Sequence, residues 1–151
     1  MDIVSHILVV SWLTKYCENT IKFGVSLSRK YNAELSVIHV MDTKLLQGWS
    51  IPMVSVEQEH KRDMEKRRKE LHNIVSSEME KGLKIKEYVS EGNPSEVILR
   101  HIEEKKVDLL ILRMHEQSAL ERMLVGGGNE EIIRAKPCSI FLVKQQTCNA
   151  G

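Results

Sequence analysis

Apolar residues in this chain gather into short, almost unbroken runs separated by longer stretches of helical period. Ile7-Leu8-Val9-Val10, Leu35 to Val40, Val107 to Leu112 and Ile140-Phe141-Leu142-Val143 are the four compact runs, all rich in β-branched residues. A run apolar on both sides of the pleat predicts a strand covered on both faces, as in a parallel sheet between helices. A fifth run, Ile85-Lys86-Glu87-Tyr88-Val89, carries more polar residues and predicts an edge strand.

Between the runs the period changes. Ile21, Val25 and Ser28 fall on one helical face with Phe23, Leu27 and Tyr31 beside it, and Tyr31-Asn32 offers a stop. From Val56 to Glu80, Met64, Leu71, Ile74, Val75 and Met79 recur at helical spacing. The other face of that segment is charged, with Lys61-Arg62 and Lys66-Arg67-Arg68-Lys69 interleaved with Glu65 and Glu70, a pattern that predicts a solvated face. A third helix has a legible start: Asn93 as cap, Pro94 in the first position, Glu96 in the third, and Val97, Ile98, His101 and Ile102 facing inward. The last helix is short, with Asn129 as candidate cap, Glu130 and Glu131 at its positive end, and Pro137 as its stop.

The order is β-α-β-α-β-α-β-α-β, which predicts an open, doubly wound five-stranded parallel α/β sheet with helices on both faces. Ligands of such sheets bind beyond the carboxyl ends of the strands, at the switch in strand order. Ser11 to Cys17, Met41 to Val56 and Arg113 to Asn129 are therefore the segments where function is expected. Residues 1–145 are expected to form one domain and residues 146–151 a flexible tail.

Composition narrows the classes. With 22 Lys and Arg against 21 Asp and Glu, the formal charge of +1 offers no global attraction to nucleic acid or an anionic membrane. No apolar run approaches the ~20 residues of a membrane span. Met1 to His6 has neither a basic start nor a cleavage site, so no secretory leader is expected. The 3 cysteines, Cys17, Cys138 and Cys148, are scattered without a CxxC pair. Neither a disulfide framework nor a zinc site is expected, and the compartment is expected to be the cytoplasm.

Val125-Gly126-Gly127-Gly128-Asn129 is the strongest local chemical signal. Three glycines remove every Cβ, and a helix begins at once, so backbone N–H groups could meet a phosphate there. The alternative is a connection that merely lets the last helix start, and Glu130 and Glu131 compete for the same positive helix end. The turn is neither a P-loop nor a dinucleotide fingerprint, because no Gly-Lys-Ser/Thr follows and no GxGxxG succeeds the first strand. The Gly-x-Ser-x-Gly elbow is absent, and Val10-Ser11-Trp12 has no acid where a receiver domain needs one. No nucleophile–base–orienter set and no metal-ligand set can be assembled, so no catalytic or metal residue is assigned. His39 and His101 read as packed histidines, whereas His115, in the loop after the fourth strand, is a candidate ligand contact. Leu45 to Val56, with Trp49, Ile51, Pro52 and Met53, is apolar for a loop and reads as a lid, an oligomer contact or a packing element.

Taken together, these pieces resemble the universal stress protein family over almost the whole chain. The resemblance rests on Ile7 to Val10, Ala33 to Val40, Glu91-Gly92-Asn93-Pro94-Ser95-Glu96-Val97-Ile98, Val107 to Leu112, and the closing stretch from Leu124-Val125-Gly126 through Ala135-Lys136-Pro137-Cys138 to Val143. It implies strand order 3-2-1-4-5 and a homodimer paired through the last strand, Ser139 to Lys144. One branch of the family binds ATP through Gly-x2-Gly-x9-Gly-Ser/Thr after the fourth strand. Here those positions hold Arg113, Glu116, Gly126 and Gly127, and only Gly126 matches. The acid that the family tends to carry after its first strand is replaced by Trp12. The resemblance therefore implies a stress-response or regulatory module without the standard ATP site and without enzymatic activity, acting through an unknown protein partner. The alternative is an adenine-nucleotide switch, with ATP as the possible ligand. For either, the candidate binding residues are Trp12, Val40, Arg113, His115, Gly126, Gly127, Gly128 and Asn129.

Overall fold

A computed structural model describes residues 3–11, 17–42, 53–114 and 128–144. In chain order these form β1 (His6–Val10), α1 (Cys17–Tyr31), β2 (Glu34–Asp42), α2 (Met53–Glu80), β3 (Ile85–Gly92), α3 (Pro94–Lys105), β4 (Leu109–Arg113), α4 (Gly128–Ala135) and β5 (Ser139–Val143). The strands make one sheet in the order β3-β2-β1-β4-β5, and every pairing is parallel. The expected fold and strand order are both present. Trp12, His115, Gly126, Gly127, most of the 45–56 segment and the 146–151 tail lie outside the described residues.

The apolar runs become strands because both sides of each find a cover. On one face Ile7, Val9, Leu35, Val37 and Ile111 pack against Ile21 and Val25 of α1 and Leu71 and Val75 of α2. On the other, Leu8, Val10, Ile38, Val40, Leu110 and Leu112 pack against Ile98 and Ile102 of α3 and Ile132 of α4. Leu8, Val9, Leu110 and Ile111 are wholly buried. The sheet is buried in its middle, and its polar strand β3 is the edge predicted from its composition. Gly24 lets α1 ride close on the sheet, because a Cβ there would collide with Val9 Cγ2.

Local chemistry sets the ends of the helices. Asn93 is extended, at φ −76° and ψ 118°, and its Oδ1 accepts from Glu96 N, with Pro94 following at the start of α3. Asn32, Lys106 and Lys136 take left-handed φ values of 53°, 52° and 49° where α1, α3 and α4 end. The last helix departs from expectation at its start. It begins at Gly128, so Asn129 is inside the first turn and not its cap. Its side chain is drawn instead to a strand, as described below.

Polar groups seal the amino end of the sheet. Asp108 Oδ2 accepts from Ser5 N at 2.8 Å, Ser5 Oγ at 2.6 Å and His6 N at 2.8 Å. Those bonds hold the Asp108 carboxyl below the ordinary carboxylate range, the Ser5 hydroxyl most of all. The buried His6 ring closes the same end. Its Nδ1 donates to Lys105 O at 2.9 Å, and its Nε2 meets Ser36 Oγ at 3.0 Å. A Glu34–Lys86 ion pair ties β2 to the edge strand on the surface.

Candidate functional site

At the carboxyl ends of the strands three buried polar residues share one row. Val9 lies opposite Val37 on one side and Ile111 on the other. Two residues further along, Ser11, His39 and Arg113 continue that row on the α1/α2 face. The rows beneath are aliphatic, but this one is histidine, serine and arginine, with exposures of 6%, 0% and 5%. Val143 of β5 ends the row beside Arg113.

Each member is fixed. Ser11 N donates to Ile38 O at 2.8 Å, which carries the β1–β2 ladder one step past the strand. His39 Nδ1 lies 2.8 Å from Ser11 O, and a carbonyl can only accept, so that nitrogen carries the proton. Burial pushes the His39 pKa down. The bond to Ser11 opposes this, Arg67 reinforces it, and Glu70 works against it. Arg67 and Glu70 pair with each other at 3.4 Å on α2. At the other end of the row, Asn129 Nδ2 donates to Arg113 O at 3.0 Å and ties the first turn of α4 to the end of β4.

Among the described residues of this region, Thr20 Oγ1 in α1 and Asn129 Oδ1 in α4 are buried without a hydrogen-bond partner. The first is 1% exposed. Both belong to helices that start beyond the carboxyl ends of β1 and β4, the two strands at the switch in strand order. An acceptor such as Asn129 Oδ1 suits a hydroxyl or amine donor, and a guanidinium suits an anion.

Of the residues expected from sequence, the structure brings Arg113 and Asn129 together. It moves Arg113 from the loop into the last position of β4, buried. Val40 stands at the carboxyl half of β2, but its side chain is packed in the core shared with α3 and α4. Gly128 opens α4. The buried, bonded ring of His39 agrees with the packed histidine expected from sequence. Its place in a polar row with Ser11 and Arg113 was missed. The signal was available: His39 holds the same period-two positions as Leu35 and Val37, with Ser11 following Val9. Among the described residues no cluster of His, Cys, Asp and Glu could hold a metal ion. No helix there is long and apolar enough to cross a membrane.

The sequence profile of the universal stress protein family matches residues 4–144. The chain belongs to the universal stress protein family. A universal stress protein of Methanocaldococcus jannaschii is 26% identical over 130 residues, which cover 82% of this chain and 72% of that relative. The solved structure of a hypothetical protein, studied to assign its biochemical function, superposes with a TM-score of 0.77 at 23% identity, covering 96% of this chain and 99% of the other. A universal stress protein in complex with cAMP superposes with a TM-score of 0.66 at 15% identity, covering 92% and 95% of the two chains. One from Archaeoglobus fulgidus in complex with dAMP reaches 0.65 at 14% identity, covering 95% and 100%. At these identities the likeness to the solved structures is one of fold.

Proposed function

We propose that this universal stress protein is a non-enzymatic regulatory module of the cytoplasm, acts as a homodimer joined along β5, and lacks the standard ATP site of its family. The observation that carries this reading is Arg113. The ATP-binding branch has a glycine at that position, leaving room for ribose and phosphates. Here a guanidinium stem fills the end of β4 and is 5% exposed. The groups around it hold one another, His39 to Ser11 and Asn129 to Arg113, so they serve to fix geometry.

The dimer is supported by the edge position of β5, where Phe141 and Leu142 are 38% and 43% exposed. Phe23, itself exposed, extends the apolar surface, and Phe141 rests on it with ring centroids 5.7 Å apart. An exposed apolar edge strand is a template for pairing with a second copy. Leu142→Lys is expected to give monomers by light scattering coupled to size exclusion. A Leu142→Lys dimer with unchanged dissociation would overturn this interface.

A second reading, an adenine-nucleotide switch, is favoured by fold neighbours that hold cAMP and dAMP. Native mass spectrometry with and without Mg-ATP, and then with AMP, separates the two. Protein that stays bare at high micromolar nucleotide supports the module without a nucleotide. Uptake of AMP but not ATP supports a reshaped nucleotide site. Uptake of ATP sinks the preferred reading.

A further inference from the structure

The contact between α3 and the edge strand β3 contains a histidine built unlike the other two in the sheet region. His101 lies half-buried on the inner side of α3, between the buried Ile98 and Ile102. Its ring meets Tyr88 of β3 edge-on, with centroids 4.6 Å apart and an interplanar angle of 70°. Its Nε2 is buried and has no hydrogen-bond partner. His6 differs, since both of its nitrogens are engaged, and His39 donates to Ser11 O. His101 is therefore held by packing, and the packed form is the neutral one.

A proton on His101 meets an unfavourable field. Lys105, one turn further along α3, and His6 on β1 both oppose the charge, and only Glu104 on the exposed side of α3 favours it. Burial opposes it more strongly than either neighbour. From β3 the facing group is the Tyr88 phenol. Among the described residues, β2 and α4, which also pack on α3, add no charged group to these surroundings.

We propose that His101 and Tyr88 form an acid-released latch between the carboxyl half of α3 and the β3 edge. Neutral His101 stays against Tyr88 and keeps α3 seated. Protonated His101 leaves the contact for water and loosens the last turns of α3 along the edge strand. The His6 anchor is a separate contact, with Nδ1 on Lys105 O and Nε2 on Ser36 Oγ, so release is confined to the His101 side. The native state binds this proton less readily than the unfolded chain, whose histidines titrate near 6.5. The latch therefore weakens as pH falls below about 6.5.

The test follows histidine ring resonances and amide hydrogen exchange on the full chain from pH 7.5 to 5.5. His101 is expected to titrate below the ordinary range. Ile102 to Lys105 should lose protection several-fold beyond intrinsic exchange in step with it, while α1 amides keep theirs. His101→Phe keeps a ring against Tyr88 and should abolish the pH response, and His101→Gln serves if that variant does not fold. His39→Gln should leave the response intact. A His101 ring titrating at or above the ordinary range, a response that persists in His101→Phe, or an equal loss in α1 and α3 would each overturn the latch.

Discussion

The two ends of the sheet are finished differently. At the amino end the polar groups close on each other. Asp108 takes three donors on one oxygen, and His6 uses both ring nitrogens to bridge α3 and β2. At the carboxyl end a more deeply buried row, His39–Ser11–Arg113, lies at the end of the sheet where Thr20 Oγ1 and Asn129 Oδ1 are left without partners. A buried polar atom without a bond costs about 1–3 kcal/mol, so a chain that leaves such atoms at the carboxyl end gives up stability there. The amino end is organised to hold the fold. The carboxyl end keeps hydrogen-bonding capacity in reserve, where open α/β sheets place their ligands.

Substitutions can break or sharpen this contrast. The largest effect is expected in the core beneath both ends. Gly24→Ala forces a methyl against Val9, and a cost of about 2–3 kcal/mol in urea unfolding is expected. A neutral result would mean that α1 moves freely on the sheet. Next comes Asp108→Ala, which strips an acceptor from Ser5 and His6 and is expected to cost about 1–2 kcal/mol, since water reaches part of the network. Its native carboxyl titrates below the unfolded value near 3.8, so its contribution is present above that pH and disappears as pH falls through the native value. Asp108→Asn should flatten the acid limb of the stability curve.

His39→Gln is the third probe. The amide can still donate to Ser11 O, so little change is expected at pH 7.5. Wild-type stability should fall as pH drops below about 6.5, because the folded state holds His39 neutral while the unfolded chain takes up the proton. The fall should be smaller in His39→Gln, as measured by urea unfolding at pH 7.5 and 5.5. The smallest effect is expected for Thr20→Val, which replaces an unpartnered hydroxyl with a methyl of similar shape. A change between zero and a gain of about 1 kcal/mol is expected. A clear loss would show that the Thr20 hydroxyl is satisfied in solution and would weaken the contrast between the ends.

Much of the scaffold could be read from local pattern. Continuous aliphatic runs predicted the inner strands, the polar Ile85 to Val89 run predicted the β3 edge, and Asn93-Pro94 predicted the start of α3. Each depends on neighbours within one turn or one pleat. Asn129 shows the limit of such local pattern. As a residue before two glutamates it has the look of a cap, but its amide is taken by Arg113 O, a partner across the connection.

What the chain by itself determined is which residues turn inward, because burial is encoded with a period of two or 3.6 that local sequence displays. Which inward residues meet was decided by the tertiary structure. His39, Ser11 and Arg113 share a row only because three parallel strands pair in one register, and Asp108 reaches Ser5 only because β4 is laid beside β1. Register is set by long-range pairing and by the helices packed across it, so a one-residue slip would have sent each of these polar side chains to the opposite face.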